Sequence, residues 1–201
     1  MLFTQLSRCL HWIPGITWRK SASKKTIYLS FDDGPIPGVT PWVLDTLDRY
    51  GIKATFFCVG ENVARYPELF EQIKTRGHQT GNHSYNHLRA FRTNPDDYLA
   101  NVEKADKLIG SSLFRPPHGE LTYAQFRALR KKYELVQWDL ISRDYNAKLS
   151  PDEVFDIVRK GVRKGSILVF HDSLKAEKNL RAALPRSIEF CLAQGYVFDV
   201  L

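Results

Sequence analysis

Short apolar runs alternate along this chain with segments that carry helix caps, and the unusual polar residues fall repeatedly at one end of the apolar runs. Strands are expected over residues 26–31, 54–59, 78–82, 113–115, 134–138, 167–170 and 196–200. Helices are expected over 39–50, 68–76, 94–109, 123–132 and 150–164, and a last one follows the 167–170 strand and runs through 194. Gly51, Gly77, Gly110 and Gly195 serve as helix stops, and Ser150-Pro151-Asp152-Glu153 is a helix start with a capping serine and proline in the first turn. Seven strand–helix repeats with short links predict an α/β fold with a parallel sheet covered by helices. No dinucleotide glycine fingerprint and no phosphate-binding loop follows any strand, which weighs against a nucleotide-binding open sheet.

The polar residues make the choice sharper. Asp32 and Asp33 follow the first expected strand, His83 and His87 the third, and Arg115 and His118 the fourth. Asp139 and Asp144 follow the fifth, and His171 and Asp172 the sixth. In a barrel of parallel strands, those C-terminal ends meet on one face, where active sites are built.

A length of 201 residues, 43% hydrophobic and 25% charged, suits one domain with a sizeable core, taken as 26–201 after an N-terminal segment of 1–25. No apolar run approaches bilayer length. Residues 1–17 show no long apolar signal region and no small-residue cleavage site. The expected location is therefore the cytoplasm or the cytoplasmic membrane surface, with an extracellular one left open. Phe3, Leu6, Leu10 and Ile13 form an apolar stripe at helical spacing, expected to dock on the domain. Membrane-surface contact, helped by Arg19, Lys20, Lys24 and Lys25, is the other option. Cys9, Cys58 and Cys191 have no C-x-x-C spacing, which fits reduced thiols. The formal charge is +7, with basic clusters at 127–132 and 159–164 on expected helices. Solvated helix faces explain them, and no aromatic-studded basic motif supports nucleic-acid binding. Oligomeric state is not legible.

Two adjacent carboxylates ending an apolar strand, Asp32-Asp33-Gly34-Pro35, are costly to bring together unless a cation or a shared proton separates their charges. His83 and His87, four apart, are expected on one face of a helical turn, where both imidazoles can bind one cation. Asp33 is the natural third ligand, and two histidines with one carboxylate leave positions open for water and substrate.

Taken together, the motifs resemble the polysaccharide deacetylases of carbohydrate esterase family four, the NodB-homology domain. The resemblance spans residues 26–201. It is carried by Ser30-Phe31-Asp32-Asp33-Gly34, His83-Ser84-Tyr85-Asn86-His87, Arg115-Pro116-Pro117-His118-Gly119, the region from Trp138 to Tyr145, and Leu168-Val169-Phe170-His171. It implies a deformed (β/α) barrel with about seven parallel strands, and metal-dependent removal of N-acetyl or similar N-acyl groups from amino sugars of a poly- or oligosaccharide. Zinc suits the ligands first; cobalt, nickel and manganese are alternatives.

Amide hydrolysis then suggests roles. Asp32 takes the proton of the attacking water, and Arg115 pairs with and orients it. The resemblance places an oxyanion-binding backbone N–H at His118, where the family carries tyrosine. His171 fits the acid that protonates the leaving amine, and Asp144 matches the family's carboxylate that bonds this histidine. Val169, two before His171, should face the same side and help wall the acetyl pocket with Tyr145 and Pro117. Leu168 and Phe170 should face the helices. Ile141 and Tyr145 stand where the family usually carries aspartate and tryptophan, which suggests an altered sugar subsite. A carbohydrate-binding pseudoenzyme and a hydrolase of non-sugar amides are the other readings.

Overall fold

The computed structural model describes residues 13–21 and 24–201. Its frame is a single curled sheet of nine strands among the described residues, every ladder parallel. The strands are β1 (Ile16–Thr17), β2 (Thr26–Asp32), β3 (Thr55–Cys58), β4 (Gln79–Asn82), β5 (Leu113–Phe114), β6 (Glu134–Val136), β7 (Leu140–Ile141), β8 (Ile167–His171) and β9 (Val197–Asp199). Their order is β1-β6-β5-β4-β3-β2-β8-β7, with β9 paired to the first half of β2. Only Gln137, Trp138 and Asp139 separate β6 from β7, yet the two strands lie on opposite flanks of the sheet. The sheet must therefore curl until its flanks approach, giving the expected deformed barrel.

All seven expected strands are present. The two additional ones, β1 and β7, are two residues long, too short for any alternation of apolar and polar residues to announce them. β1 has a consequence for the boundary set at residue 26. Ile16 and Thr17 pair with Leu135 and Val136, and the Lys20 N–H donates to the Gly165 carbonyl, so part of the 1–25 segment belongs to the sheet. Phe3, Leu6, Leu10 and Cys9 lie outside the described residues. Among the described residues, no helix is long and apolar enough to cross a membrane.

Among the described residues, seven α-helices cover the outside: α1 (Thr40–Arg49), α2 (Gly60–Arg65), α3 (Pro67–Thr75), α4 (Pro95–Ile109), α5 (Tyr123–Leu129), α6 (Pro151–Gly161) and α7 (Glu177–Ala193). The capping signals act as read. Ser150 and Glu153 form a reciprocal capping box on α6, and Gly110 ends α4 in the left-handed conformation. α2 was not expected, and α6 stops at Gly161 rather than near residue 164, because Val162 is already extended.

Strand alternation sorts the core. Leu29, Phe31, Phe56, Leu168 and Phe170 pack outward against α1, α3, α6 and α7. Tyr28, Phe57, Leu113, Val136 and Ile167 form a separate apolar layer. They share the face of Ser30, Asp32, Val169 and His171, which lie two or four residues along the same strands. Cys58 and Cys191 are buried free thiols, as a small apolar side chain in a core would be. The two basic clusters are helix-surface features: Arg130 lies over the Phe126 ring, and Arg159 and Lys160 pair with Asp156.

Candidate active site

Among the described residues, five other than glycine adopt the left-handed backbone conformation: Asp33, Ser84, His87, His118 and Arg143. All lie in the segments that follow strand C-termini, and three of them line one cavity of about 340 Å³. A Cβ in this conformation costs about 1–2 kcal/mol, so each must be held by its surroundings.

Asp33 follows the end of β2. Its Oδ1 lies 3.3 Å from His87 Nε2 and 3.8 Å from His83 Nε2. One ligand atom from each of the three residues falls within 4.8 Å of the others. The histidines reach this spot by a route different from the expected helical turn. Residues 83–89 form no helix, and Ser84 and His87 have φ of 61° and 54°. The loop is held by two asparagines. Asn82 Oδ1 accepts the Ser84 N–H, while Asn101 Oδ1 on α4 accepts those of Tyr85 and Asn86. Local side-chain acceptors thus replace helical bonding.

The donor set fits a divalent cation. A carbonyl only accepts, so the 2.8 Å bond between His83 Nδ1 and the Arg115 carbonyl places the proton on Nδ1 and leaves the Nε2 lone pair facing Asp33. Burial pushes His83 down to about 4, keeping it neutral. Burial alone would raise the Asp33 carboxyl, but electrostatic attraction led by the charged His171 imidazole more than offsets this and holds it below its ordinary value.

Asp32 is the last residue of β2 and points inward. Arg115 Nη1 donates to its Oδ1 at 2.6 Å and to Ser30 Oγ at 2.9 Å, while Nη2 donates to the Gln137 carbonyl at 3.1 Å. The guanidinium is fully buried and lies 4.0 Å above the Phe57 ring centroid. The expected Asp32–Arg115 pair is therefore present inside the barrel.

His171 ends β8 in lateral register with Asp32. Asp144 holds it twice: Oδ1 lies 2.7 Å from Nδ1, and Oδ2 accepts the His171 main-chain N–H at 2.8 Å. Nδ1–H donates to the carboxylate, which leaves Nε2 for the cavity. Burial alone would lower this imidazole, but Asp144, with Asp33 and Asp32 behind it, lifts it to about 9. Tyr145 presents a ring edge-on to His171, with centroids 4.8 Å apart.

His118 lies on the opposite wall, its ring edge-on to His87 with centroids 4.6 Å apart. At φ 60° its N–H has no backbone acceptor among the described residues. The remaining lining is Arg89, Pro116, Trp138, Ile141 and Lys175.

Two expected wall residues do not line this cavity. Val169 is fully buried beside Ile141, its lateral partner on β7, and Ile141 takes the wall position instead. Pro117 is buried in the turn, and Pro116 is the proline that faces the cavity. Asp139 belongs elsewhere: it is buried against Arg163 and Ser166. Arg89 and Lys175 sit in connecting segments without a pattern that would have marked them. Trp138 was read as a strand end and as the start of the fourth motif, without a place in the cavity wall.

The fold and this site define a barrel hydrolase. The sequence profile of the polysaccharide deacetylase family matches residues 19–138. A peptidoglycan-N-acetylglucosamine deacetylase of Bacillus cereus is 35% identical, over 91% of this chain and 89% of that protein. A chitooligosaccharide deacetylase of Bradyrhizobium is 33% identical, over 74% of this chain and 71% of that protein. A crystal structure of a peptidoglycan N-acetylglucosamine deacetylase superposes with a TM-score of 0.88 at 28% identity, covering 95% of this chain and 94% of that one. The chain belongs to the polysaccharide deacetylase family, hydrolases of carbon–nitrogen bonds.

Proposed function

We propose that this protein removes the N-acetyl group from N-acetylglucosamine units of a polysaccharide of the peptidoglycan or chitin type, with a divalent cation held by Asp33, His83 and His87. The observation that carries this reading is the convergence of those three ligand atoms within 4.8 Å of one another, in a cavity that Asp32 and His171 also line. When bound by these residues, such a cation, zinc by preference, would supply Lewis acidity toward the amide carbonyl and the attacking water.

The protein's own groups supply the rest. Asp32 accepts the proton released as the water oxygen bonds to the acyl carbon. Arg115 keeps that carboxylate in one orientation through a 2.6 Å bond. The His118 N–H donates to the oxygen that becomes negative as the carbonyl is attacked. His171 delivers a proton from Nε2 to the sugar nitrogen as the carbon–nitrogen bond breaks, giving a free amine and acetate. Asp144 keeps the imidazole protonated until that moment. Trp138, Ile141 and Tyr145 wall the space for the acyl group.

The test is acetate and amine release from N-acetylglucosamine oligomers and from peptidoglycan by zinc-loaded protein, beside Asp32→Asn and His171→Ala. Release by the parent and a loss of at least a hundredfold in both variants is expected. Ion binding without release from any acylated amino sugar overturns the reading.

A further inference from the structure

We propose that Asp172 is a positioning residue that fixes the left-handed turn at Asp33 and thereby sets how tightly the cation is held. The inference rests on the reading of Asp33, His83 and His87 as ligands. Asp172 directly follows His171, is 1% exposed and does not line the cavity. Its carboxylate is seated beneath the turn that leaves β2. Oδ1 accepts the Gly34 N–H at 3.1 Å, and Oδ2 accepts the Thr40 hydroxyl at 2.6 Å. Thr40 Oγ in turn accepts the Ile36 N–H at 2.7 Å, which leaves its own proton for Asp172.

One side chain therefore grips both ends of the turn: the residue just after Asp33, and the first residue of α1. The Asp172 main-chain N–H also donates to the Asp32 carbonyl at 3.1 Å, extending the β2–β8 ladder by one bond. Packing leaves no slack. A Cβ built on Gly34 would lie 2.0 Å from Asp172 Oδ2, so only glycine lets the turn sit on the carboxylate. From the other side, Asn62 Nδ2 donates to the Asp33 carbonyl at 2.8 Å.

The chemistry of the pair of donors explains why this buried group is an acid. Two donors face it, and a carboxylate offers an acceptor oxygen to each. No Lys or Arg pairs with it among the described residues, so those two hydrogen bonds, and not an ion pair, hold the side chain beneath the turn. Asp33 has φ 82°, a conformation that a residue with a Cβ does not hold unaided. Outer groups that orient a ligand typically change metal affinity by about 10- to 100-fold when removed.

The experiment measures zinc affinity by competition with a chromogenic chelator, together with the melting curve of the ion-free protein, for the full chain and for Asp172→Ala, Asp172→Asn and Thr40→Val. Asp172→Ala should weaken zinc by about 10- to 100-fold. Asp172→Asn should weaken it less, because its amide oxygen still accepts the Gly34 N–H and its amide N–H can be donated to Thr40 Oγ. Thr40→Val should fall between them. A purely structural role would lower the melting temperature and leave the affinity of the folded protein unchanged. Zinc binding within twofold of the parent in folded Asp172→Asn and Thr40→Val overturns the inference, even if Asp172→Ala does not fold. A parent that binds no zinc overturns the ligand reading itself, and this inference with it.

Discussion

Asp32 and His171 are lateral partners on β2 and β8, neighbouring strands of the same parallel ladder. Their side chains leave the sheet on the same face, roughly one strand spacing, about 4.8 Å, apart at the backbone. Each is then held by its own partner, Asp32 by Arg115 and His171 by Asp144. The carboxylate proposed to accept a proton and the imidazole proposed to deliver one are thus set side by side by the register of two strands, and they flank the turn that carries Asp33.

Asp144→Asn should move the alkaline limb of the activity profile. His171 stands near 9 because Asp144 outweighs the effect of burial. With a neutral amide in its place, burial is opposed only by the more distant Asp33 and Asp32, and the imidazole loses its proton at lower pH. The alkaline limb of kcat/KM should fall by more than one pH unit, measured between pH 5 and 10. Stability follows the same sign. The folded value exceeds the ordinary 6.5, so the contribution is complete below about 6.5 and is lost as pH rises through about 9. Ion-free melts over that window should flatten in the variant.

Arg115→Leu should destabilise the fold as well as the chemistry. It leaves Asp32, Ser30 Oγ and the Gln137 carbonyl without their buried donor. Breaking a buried pair in this way costs about 3–5 kcal/mol, or roughly 10 °C in melting temperature for a domain of this size. Asp32→Asn keeps a hydrogen-bonding partner for the guanidinium. It should melt closer to the parent and lose about 10²- to 10⁴-fold in kcat. A normal kcat in Asp32→Asn removes it as the proton acceptor.

His118 should be dispensable as a side chain and necessary as a backbone. His118→Gly tolerates φ 60° and keeps the N–H, so kcat should stay within about tenfold of the parent. His118→Pro removes the donor and forbids positive φ, and should lose at least the 10²- to 10³-fold typical of one missing oxyanion donor. Equal losses in both variants would assign the role to the imidazole.

Chelation should abolish turnover, and added zinc should restore it. His87→Ala, which removes the ligand atom 3.3 Å from Asp33, should not be restored at the same zinc concentration. Full recovery of that variant, read by acetate release against a zinc titration, argues for a different ligand set.

The sequence exposed the site through residues whose chemistry is unusual at a strand end: Asp32-Asp33, His83, His87, Arg115, His118 and His171. Backbone route was less legible than residue identity. His83 and His87 converge through an asparagine-held loop and not through a helical turn, because Asn82 and Asn101 capture its N–H groups from positions before and far beyond it. Strand alternation correctly put Val169 on the inner face but could not reveal that Ile141, on a two-residue strand, would be the one to line the cavity. Asp172 stood in plain view after His171. Its task depends on Gly34 and Thr40, more than 130 residues away, and local reading has no access to such a contact.

Asp33, His87 and His118 all stand on backbone that L-amino acids avoid. Copying only these side chains onto another barrel would therefore fail to reproduce the centre, since an ordinary loop would swing each donor away. A designer transplanting this centre must carry over the asparagines, the glycine and the buried acid beneath these loops, and treat the visible side chains as the smaller part of the graft.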